Sequence, residues 1–231
     1  MIADRVTAVR ERIARAAERA GRRPDDVTLI AVCKKHPSSA VREAFEAGVR
    51  DFGENRVQEA ESKARELEAL RAEGLKWHLV GHLQANKVRK AVGLFDRIHS
   101  LDGVELGEKL DRVGAEQGRA VRVLVQVDLA GEATKHGVDE PGLIPLLDTV
   151  RGRNGLAVEG LMILPPYFED PAQSRPFFRQ LRSLRDEALG RGLLAGSELS
   201  MGMSHDLEVA VEEGATLVRV GTAIFGERSP G

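Results

Sequence analysis

The first apolar run decides the fold of this chain: Val27-Thr28-Leu29-Ile30-Ala31-Val32-Cys33, followed at once by Lys34-Lys35-His36-Pro37. Aliphatic and β-branched residues that end at polar residues and a proline predict a short buried strand. A dinucleotide-binding open sheet usually carries a glycine-rich phosphate loop at this point. A pair of lysines stands there instead, which weakens the dinucleotide alternative.

Seven further runs of this kind follow, and helical patterns separate them. The predicted strands are residues 27–33, 49–52, 76–80, 96–100, 121–128, 157–164, 196–201 and 216–220. The predicted helices are residues 38–47, 55–73, 85–94, 103–117, 141–150, 171–189 and 204–213. Strands joined by crossover helices are parallel, and eight of them can close into a barrel. We therefore expect an α/β fold, a (β/α)8 TIM barrel in which residues 1–231 form one domain, with an open doubly wound sheet as the alternative.

An additional helix is predicted at the N-terminus. Within residues 1–21, apolar residues recur at helical spacing between Arg and Glu; they are Val6, Val9, Ile13, Ala16, Ala17 and Ala20. This pattern predicts an amphipathic helix that packs on the barrel. The segment has no apolar run of the kind that a signal peptide or a membrane span requires.

The composition narrows the class of ligand and the compartment. Hydrophobic residues make up 42% of the chain and aromatic residues only 4%, so the core must be mainly aliphatic. Lys and Arg number 34 against 36 Asp and Glu, a balance that favours neither nucleic acid nor an anionic membrane as a partner. We expect a small ligand. The single cysteine, Cys33, excludes an intramolecular disulfide and favours a reducing compartment, the cytoplasm.

Polar residues collect where the predicted strands end, and Lys34 is the first of them. In a barrel these ends form one mouth, where the chemistry of the fold takes place. A lysine that is partly desolvated there has a lowered pKa and can attack a carbonyl group. A solvated lysine at a strand end is the ordinary alternative. Lys35 is the rival nucleophile, although strand alternation should direct it away from Lys34.

Two segments near the C-terminus favour phosphate binding. Residues 200–206 open a predicted helix, and Gly221-Thr222 follow the eighth predicted strand. Loops after strands seven and eight often bind phosphate in this fold, because small residues let backbone N–H groups approach the anion. Alternatively, Gly202 and Gly221 are turn glycines and Ser204 is a helix N-cap.

Arg219 lies inside the eighth predicted strand, where a permanent charge needs a specific acceptor. It could donate to a ring nitrogen of a ligand, or it could pair with Asp or Glu. For the six histidines, the spacing along the chain indicates no metal site.

Several motifs together resemble the YggS/PROSC family of pyridoxal-phosphate homeostasis proteins. They are residues 31–34 (AVCK), 52–59 (FGENRVQE), 77–87 (WHLVGHLQANK), 160–162 (GLM), 200–204 (SMGMS) and 219–226 (RVGTAIFG). The match runs from about Val27 to Gly226 and keeps the order of the motifs.

The resemblance implies a barrel like the N-terminal domain of alanine racemase, carrying pyridoxal 5′-phosphate (PLP) as a Schiff base on Lys34. It also implies a set of further cofactor contacts. These are phosphate contacts from Ser200, Gly221 and Thr222, Arg219 at the pyridine nitrogen, Asn55 beside the ring, and His78 and Met162 near the cofactor without an assigned role. The chain departs from the family pattern at Cys33, Lys35 and His36, which puts the pKa and the redox sensitivity of the pocket in question.

Two functional classes fit this resemblance, a PLP carrier and a PLP-dependent amino-acid racemase. Alanine racemases have a C-terminal domain that supplies a catalytic tyrosine, whereas this sequence stops shortly after Gly226 and its one tyrosine is Tyr167. An arginine at the pyridine nitrogen weakens the ring as an electron sink. We therefore expect a non-enzymatic, monomeric carrier that takes part in PLP homeostasis and passes PLP to apoenzymes.

Overall fold

A computed structural model, which describes residues 1–131 and 136–227, contains a closed barrel of eight parallel strands with helices around it. The strands are β1 (Thr28–Val32), β2 (Asp51–Glu54), β3 (Lys76–Leu79), β4 (Arg97–Leu101), β5 (Val121–Asp128), β6 (Val138–Asp139), β7 (Leu156–Ile163), β8 (Glu198–Ser200) and β9 (Leu217–Val220). Their order is β4-β3-β2-β1-β9-β8-β7-β5, and pairing of β4 with β5 closes the ring. The short β6 pairs with β5 outside the ring. The predicted (β/α)8 fold is confirmed.

The helices are α1 (Ile2–Arg19), α2 (Ser38–Glu46), α3 (Val57–Glu66), α4 (Glu68–Ala72), α5 (Val88–Leu94), α6 (Val104–Glu116), α7 (Glu140–Val150), α8 (Arg175–Gly190), α9 (Leu207–Glu212) and α10 (Thr222–Phe225). The single helix predicted for residues 55–73 is wrong, because the buried Leu67 interrupts it and separates α3 from α4. The second strand extends to Glu54 because Gly53 and Glu54 continue the pairing with β3. None of the described helices is long and apolar enough to cross a membrane.

The barrel interior and the layer between strands and helices form separate apolar cores. Ile30 packs inside the barrel with Leu124, Met162 and Leu217, whereas Ala31 belongs to the larger outer core. Because side chains alternate along a strand, the inner face of β1 continues from Ile30 towards the mouth of the barrel. Lys34 comes two residues after the last residue of β1, at this mouth.

The N-terminal helix α1 packs against α2, α9 and α10. Its predicted apolar face is buried, apart from the half-buried Ala20. Arg12 holds Glu208 of α9 through a two-pronged ion pair, with N···O distances of 2.6 and 2.8 Å, and also donates to the Ser204 carbonyl. Thus α1 fixes the segment that follows β8, one of the two segments predicted to bind phosphate.

Candidate functional site

Lys34 lies in a tight turn that begins one residue after β1 ends. The His36 N–H donates to the Cys33 carbonyl over 3.0 Å and closes the turn. Lys35 takes a left-handed backbone conformation, with φ of 63°. Lys34 is half-buried and Lys35 is exposed. The two lysines therefore differ in environment, but the cause is this turn and not the strand alternation that the sequence suggested.

Three contacts hold the turn in place from outside the barrel. The Lys35 N–H donates to Glu59 of α3 over 3.2 Å. The His36 ring stacks on Phe225 of α10, with 5.0 Å between ring centroids. Lys63 of α3 donates to the Cys33 carbonyl over 2.7 Å. The position of Lys34 thus depends on both α3 and α10.

Beneath the turn, Cys33, Glu54 and Lys63 form a buried polar cluster. Lys63 Nζ lies 2.5 Å from Glu54 Oε1, and the Cys33 thiol lies 3.1 Å from the same oxygen. Burial and the charge of Glu54 raise the pKa of the Cys33 thiol well above its usual value. Burial raises the pKa of the Glu54 carboxyl as well, against the opposing effect of Lys63. A fully buried, protonated thiol is a poor nucleophile, so this departure from the family pattern does not create a reactive cysteine.

Arg219 lies on the strand next to β1, with Ile30 as its register partner. Its guanidinium is buried and donates to the Ser200 hydroxyl and, over 2.8 Å, to the Ile163 carbonyl. Burial lowers the pKa of Arg219 to about 10, so the group stays cationic at neutral pH. Within residues 1–131 and 136–227, the hydrogen-bond partners of its guanidinium are a hydroxyl and a carbonyl rather than a carboxylate.

A chain of hydrogen bonds crosses the barrel interior from Arg219 to Asp51. Ser200 Oγ lies 2.9 Å from His99 Nδ1, and His99 Nε2 lies 2.9 Å from His78 Nδ1. His78 Nε2 in turn lies 2.9 Å from Asp51 Oδ1. We call these five residues the barrel relay. It joins β9, β8, β4, β3 and β2 through side chains alone.

The two ends of the barrel relay have fixed hydrogen-bonding roles. Burial, together with His78, Arg219 and Arg97, lowers the pKa of His99 well below its usual value, so this ring is neutral. Although burial opposes ionisation, the hydrogen bond from His78 lowers the pKa of Asp51. Because an arginine only donates and a carboxylate only accepts, Arg219 donates to Ser200 at one end of the relay and Asp51 accepts from His78 at the other.

The two segments predicted to bind phosphate lie side by side. The Arg219 N–H donates to the Gly202 carbonyl over 2.9 Å, and the Ala223 N–H donates to Ser204 Oγ over 3.3 Å. Gly202 has φ of 91°, and a Cβ there would lie 2.5 Å from the side chain of Ala210, so glycine is required. Thr222 is exposed and opens α10, where the first N–H groups have no partner within the helix.

Ser200 lies deeper than its predicted role suggests. Its side chain is fully buried, and its hydroxyl bonds to Arg219 and His99. The hydroxyl thus supports Arg219, while a phosphate contact from Ser200 stays a prediction. Gly221 and Thr222 lie at the mouth, immediately after β9.

The remaining predicted contacts divide between the mouth and the interior. Asn55 is half-buried just after β2, where its backbone lies so close to Gly81 that a Cβ there would lie 2.4 Å from the Asn55 carbonyl oxygen. Met162 is fully buried in the interior apolar core. His78 belongs to the barrel relay. The sequence analysis did not identify Asp51 and His99 as site residues. A charged or imidazole side chain inside a short buried strand is nevertheless unusual, and this could have indicated them.

We predict that His99 makes stability depend on pH. The pKa of His99 is lower in the folded state than in the unfolded state. Below about pH 6.5 the unfolded chain therefore binds a proton at His99 that the folded chain does not bind. The free energy of unfolding then falls as the pH falls, by up to about 1.4 kcal/mol per pH unit. His99→Gln should lose about 1–3 kcal/mol at pH 8, since it breaks the barrel relay, and this deficit should narrow at pH 5.5. Urea unfolding at both pH values measures this difference in stability, and His205→Gln, at an exposed histidine, is the control. A deficit of His99→Gln that is the same at pH 8 and pH 5.5 would contradict the lowered pKa of His99.

Sequence comparison shows which proteins this chain is similar to. Residues 5–229 match the family described as "Alanine racemase, N-terminal domain". The pyridoxal phosphate homeostasis protein of Aquifex aeolicus is 44% identical over 225 residues, 97% of each chain, and that of Pseudomonas aeruginosa is 43% identical over 231 residues, 100% of this chain and 97% of that one.

Solved structures agree with the sequence matches. PipY of Synechococcus elongatus PCC7942, with PLP bound, is 43% identical with a TM-score of 0.86, covering 98% of this chain and 100% of that one. Alanine racemase from Corynebacterium glutamicum, at 18% identity and a TM-score of 0.66, covers 95% of this chain and 60% of that one, and it shows only the shared fold. The chain therefore belongs to the alanine racemase N-terminal domain family and, within it, to the family of the pyridoxal phosphate homeostasis proteins.

Proposed function

We propose that this protein binds PLP at the barrel mouth as a Schiff base on Lys34 and serves in PLP homeostasis as a carrier. One observation carries the proposal: three neighbouring strands deliver complementary groups to the same end of the barrel. β1 leads to Lys34, β9 leads to Gly221 and Thr222, and β8 leads to the segment from Gly202. The PLP-bound structure of the relative PipY supports it.

The groups present match the three recognition needs of the cofactor. When bound, PLP supplies an aldehyde that condenses reversibly with an amine and a ring that can withdraw electrons. Lys34 is the half-buried amine, and the backbone at Gly221 and Thr222 offers N–H donors for a dianion. Arg219, beside β1, offers a donor for the ring nitrogen.

The state of Arg219 supports a carrier over an enzyme. The guanidinium is cationic and only donates, and its hydrogen bonds to Ser200 and Ile163 hold it in position. A ring nitrogen that accepts this hydrogen bond stays unprotonated, which limits the ability of the ring to stabilise a carbanion. Amino-acid chemistry would then be slow even with the cofactor in place.

The position of Tyr167 also favours the carrier. It is 78% exposed, and its ring lies 5.3 Å from the ring of His205. An exposed loop tyrosine is poorly placed to serve as the second base that racemisation requires. We further propose that the protein acts as a cytoplasmic monomer and that PLP-dependent apoenzymes receive the cofactor from the open mouth.

We predict that Thr222 contributes to phosphate binding. Thr222→Ala removes one hydrogen bond to a charged group, worth roughly 1.5–3 kcal/mol, so PLP affinity should fall about tenfold to a hundredfold. Pyridoxal, which lacks the phosphate, should bind weakly to both proteins with almost equal affinity. Absorbance titration measures both ligands, with Thr149→Ala on α7 as the matched control. Equal losses for PLP and pyridoxal would show that Thr222 supports the ring or the fold.

We also predict that the PLP-loaded protein turns over D- and L-amino acids far more slowly than about 1 per second, the lower range of ordinary enzymes. A chiral product assay across a panel of amino acids measures the rate. Lys34→Ala and Lys35→Ala form a matched pair of adjacent lysines. Turnover at enzyme rates that Lys34→Ala abolishes and Lys35→Ala retains would establish the racemase alternative instead.

A further inference from the structure

A second polar group lies near the barrel mouth, away from Lys34. It consists of His82 after β3, Asp102 after β4 and His136 before β6, and we call it the His-Asp-His cluster. One potential ligand atom from each residue lies within 4.8 Å of the other two. These residues are far apart along the chain, which is why the histidine spacing indicated no metal site. Folding into the barrel brings them together.

We propose that the His-Asp-His cluster binds a divalent transition-metal ion of the Zn²⁺ class. Two imidazoles and one carboxylate are a ligand set that Zn²⁺ takes in proteins, leaving one position for water or an exogenous ligand. Imidazole ligands favour Zn²⁺, Co²⁺, Ni²⁺ and Cu²⁺ over Mg²⁺ and Ca²⁺. The site uses neither Lys34 nor Arg219, although His82 shares a cleft with Asn55, which is predicted to lie beside the cofactor ring.

The present distances suit a site that closes around the ion. His82 Nδ1 lies 3.1 Å from Asp102 Oδ2, close to the separation of about 3.3–3.5 Å implied by metal–ligand distances near 2.0–2.1 Å. The His136 ring stacks on His82 with 3.7 Å between centroids and 12° between planes. An ion lies in the plane of each imidazole that binds it, so one of the two stacked rings must rotate out of the stack, and both rings are exposed.

The backbone of His136 is held firmly for a residue outside the barrel strands. Gln126 Nε2 lies 2.5 Å from the His136 carbonyl oxygen. The next residue, Gly137, has φ of 144°, and a Cβ there would lie 2.9 Å from the Asp128 nitrogen. Val138 then pairs with Val127 of β5. These contacts fix the backbone of His136, from which its exposed ring reaches His82.

The cleft beside His82 carries both signs of charge. Arg56, Lys87 and Glu59 line this space of about 650 Å³, which also includes Asn55. The excess of one positive charge favours an anionic ligand on the open position of the metal ion. An ion bound here would tie His136 to the residues that follow β3 and β4.

Titration of tag-free, PLP-free protein with Co²⁺ tests the proposal, because the d–d absorption of bound Co²⁺ reports the ligand set directly. Competition with Zn²⁺ then gives the affinity for Zn²⁺. Wild type should bind one equivalent, and His136→Gln and Asp102→Asn should each weaken binding by at least about tenfold. His205→Gln, at another exposed histidine, should bind like wild type. Absence of binding to wild type, or equal affinity in wild type and His136→Gln, would overturn the proposal.

Circular dichroism and urea unfolding verify that the variants remain folded, which is expected because His136 is exposed. The Lys34→Ala variant distinguishes metal binding at the His-Asp-His cluster from PLP binding at Lys34. Metal binding should be unchanged in Lys34→Ala even if PLP binding is lost. Loss of metal binding in Lys34→Ala would place the ion at the lysine and overturn the assignment to the His-Asp-His cluster.

Discussion

The buried guanidinium of Arg219 is the constraint on which the rest of the site depends. Removing a charge from water is costly unless hydrogen bonds replace the lost solvation. Here a hydroxyl from β8 and a carbonyl from β7 accept two of these bonds, and two histidines extend the network to Asp51 on β2. The barrel interior is therefore partly polar, and five of its polar side chains form one connected chain of hydrogen bonds.

The barrel relay and the turn that contains Lys34 perform separate tasks. The relay lies inside the barrel, and the turn lies at its mouth. Inside the barrel, the bonds of Arg219 to Ser200 and Ile163 restrict the position of its guanidinium. Above, Lys34 sits in a turn held by Lys63 and by the stack of His36 on Phe225. Because α10 carries both Phe225 and Thr222, the proposed amine and phosphate sites share one structural support. Rigid support of this kind lowers the entropic cost of binding.

Much of the architecture could be predicted from the sequence because it depends on local patterns. Aliphatic runs and helical periodicity revealed the eight strands, and the position of Lys34 at a strand end followed directly. The barrel relay could not be predicted this way, since it requires the register between strands that are distant along the chain. His99 and Ser200, for example, are separated by 101 positions and meet only once the barrel closes. Ser200 was accordingly assigned to the phosphate, and its contact with Arg219 was missed.

Borohydride reduction of the PLP-loaded protein, followed by peptide mass mapping, tests the central claim most directly. Reduction makes the Schiff base permanent and marks the lysine that formed it. The account predicts one pyridoxyl group per chain, on Lys34, and no label on the adjacent and more exposed Lys35. Label on Lys35, label spread over surface lysines, or no label at all would contradict the account.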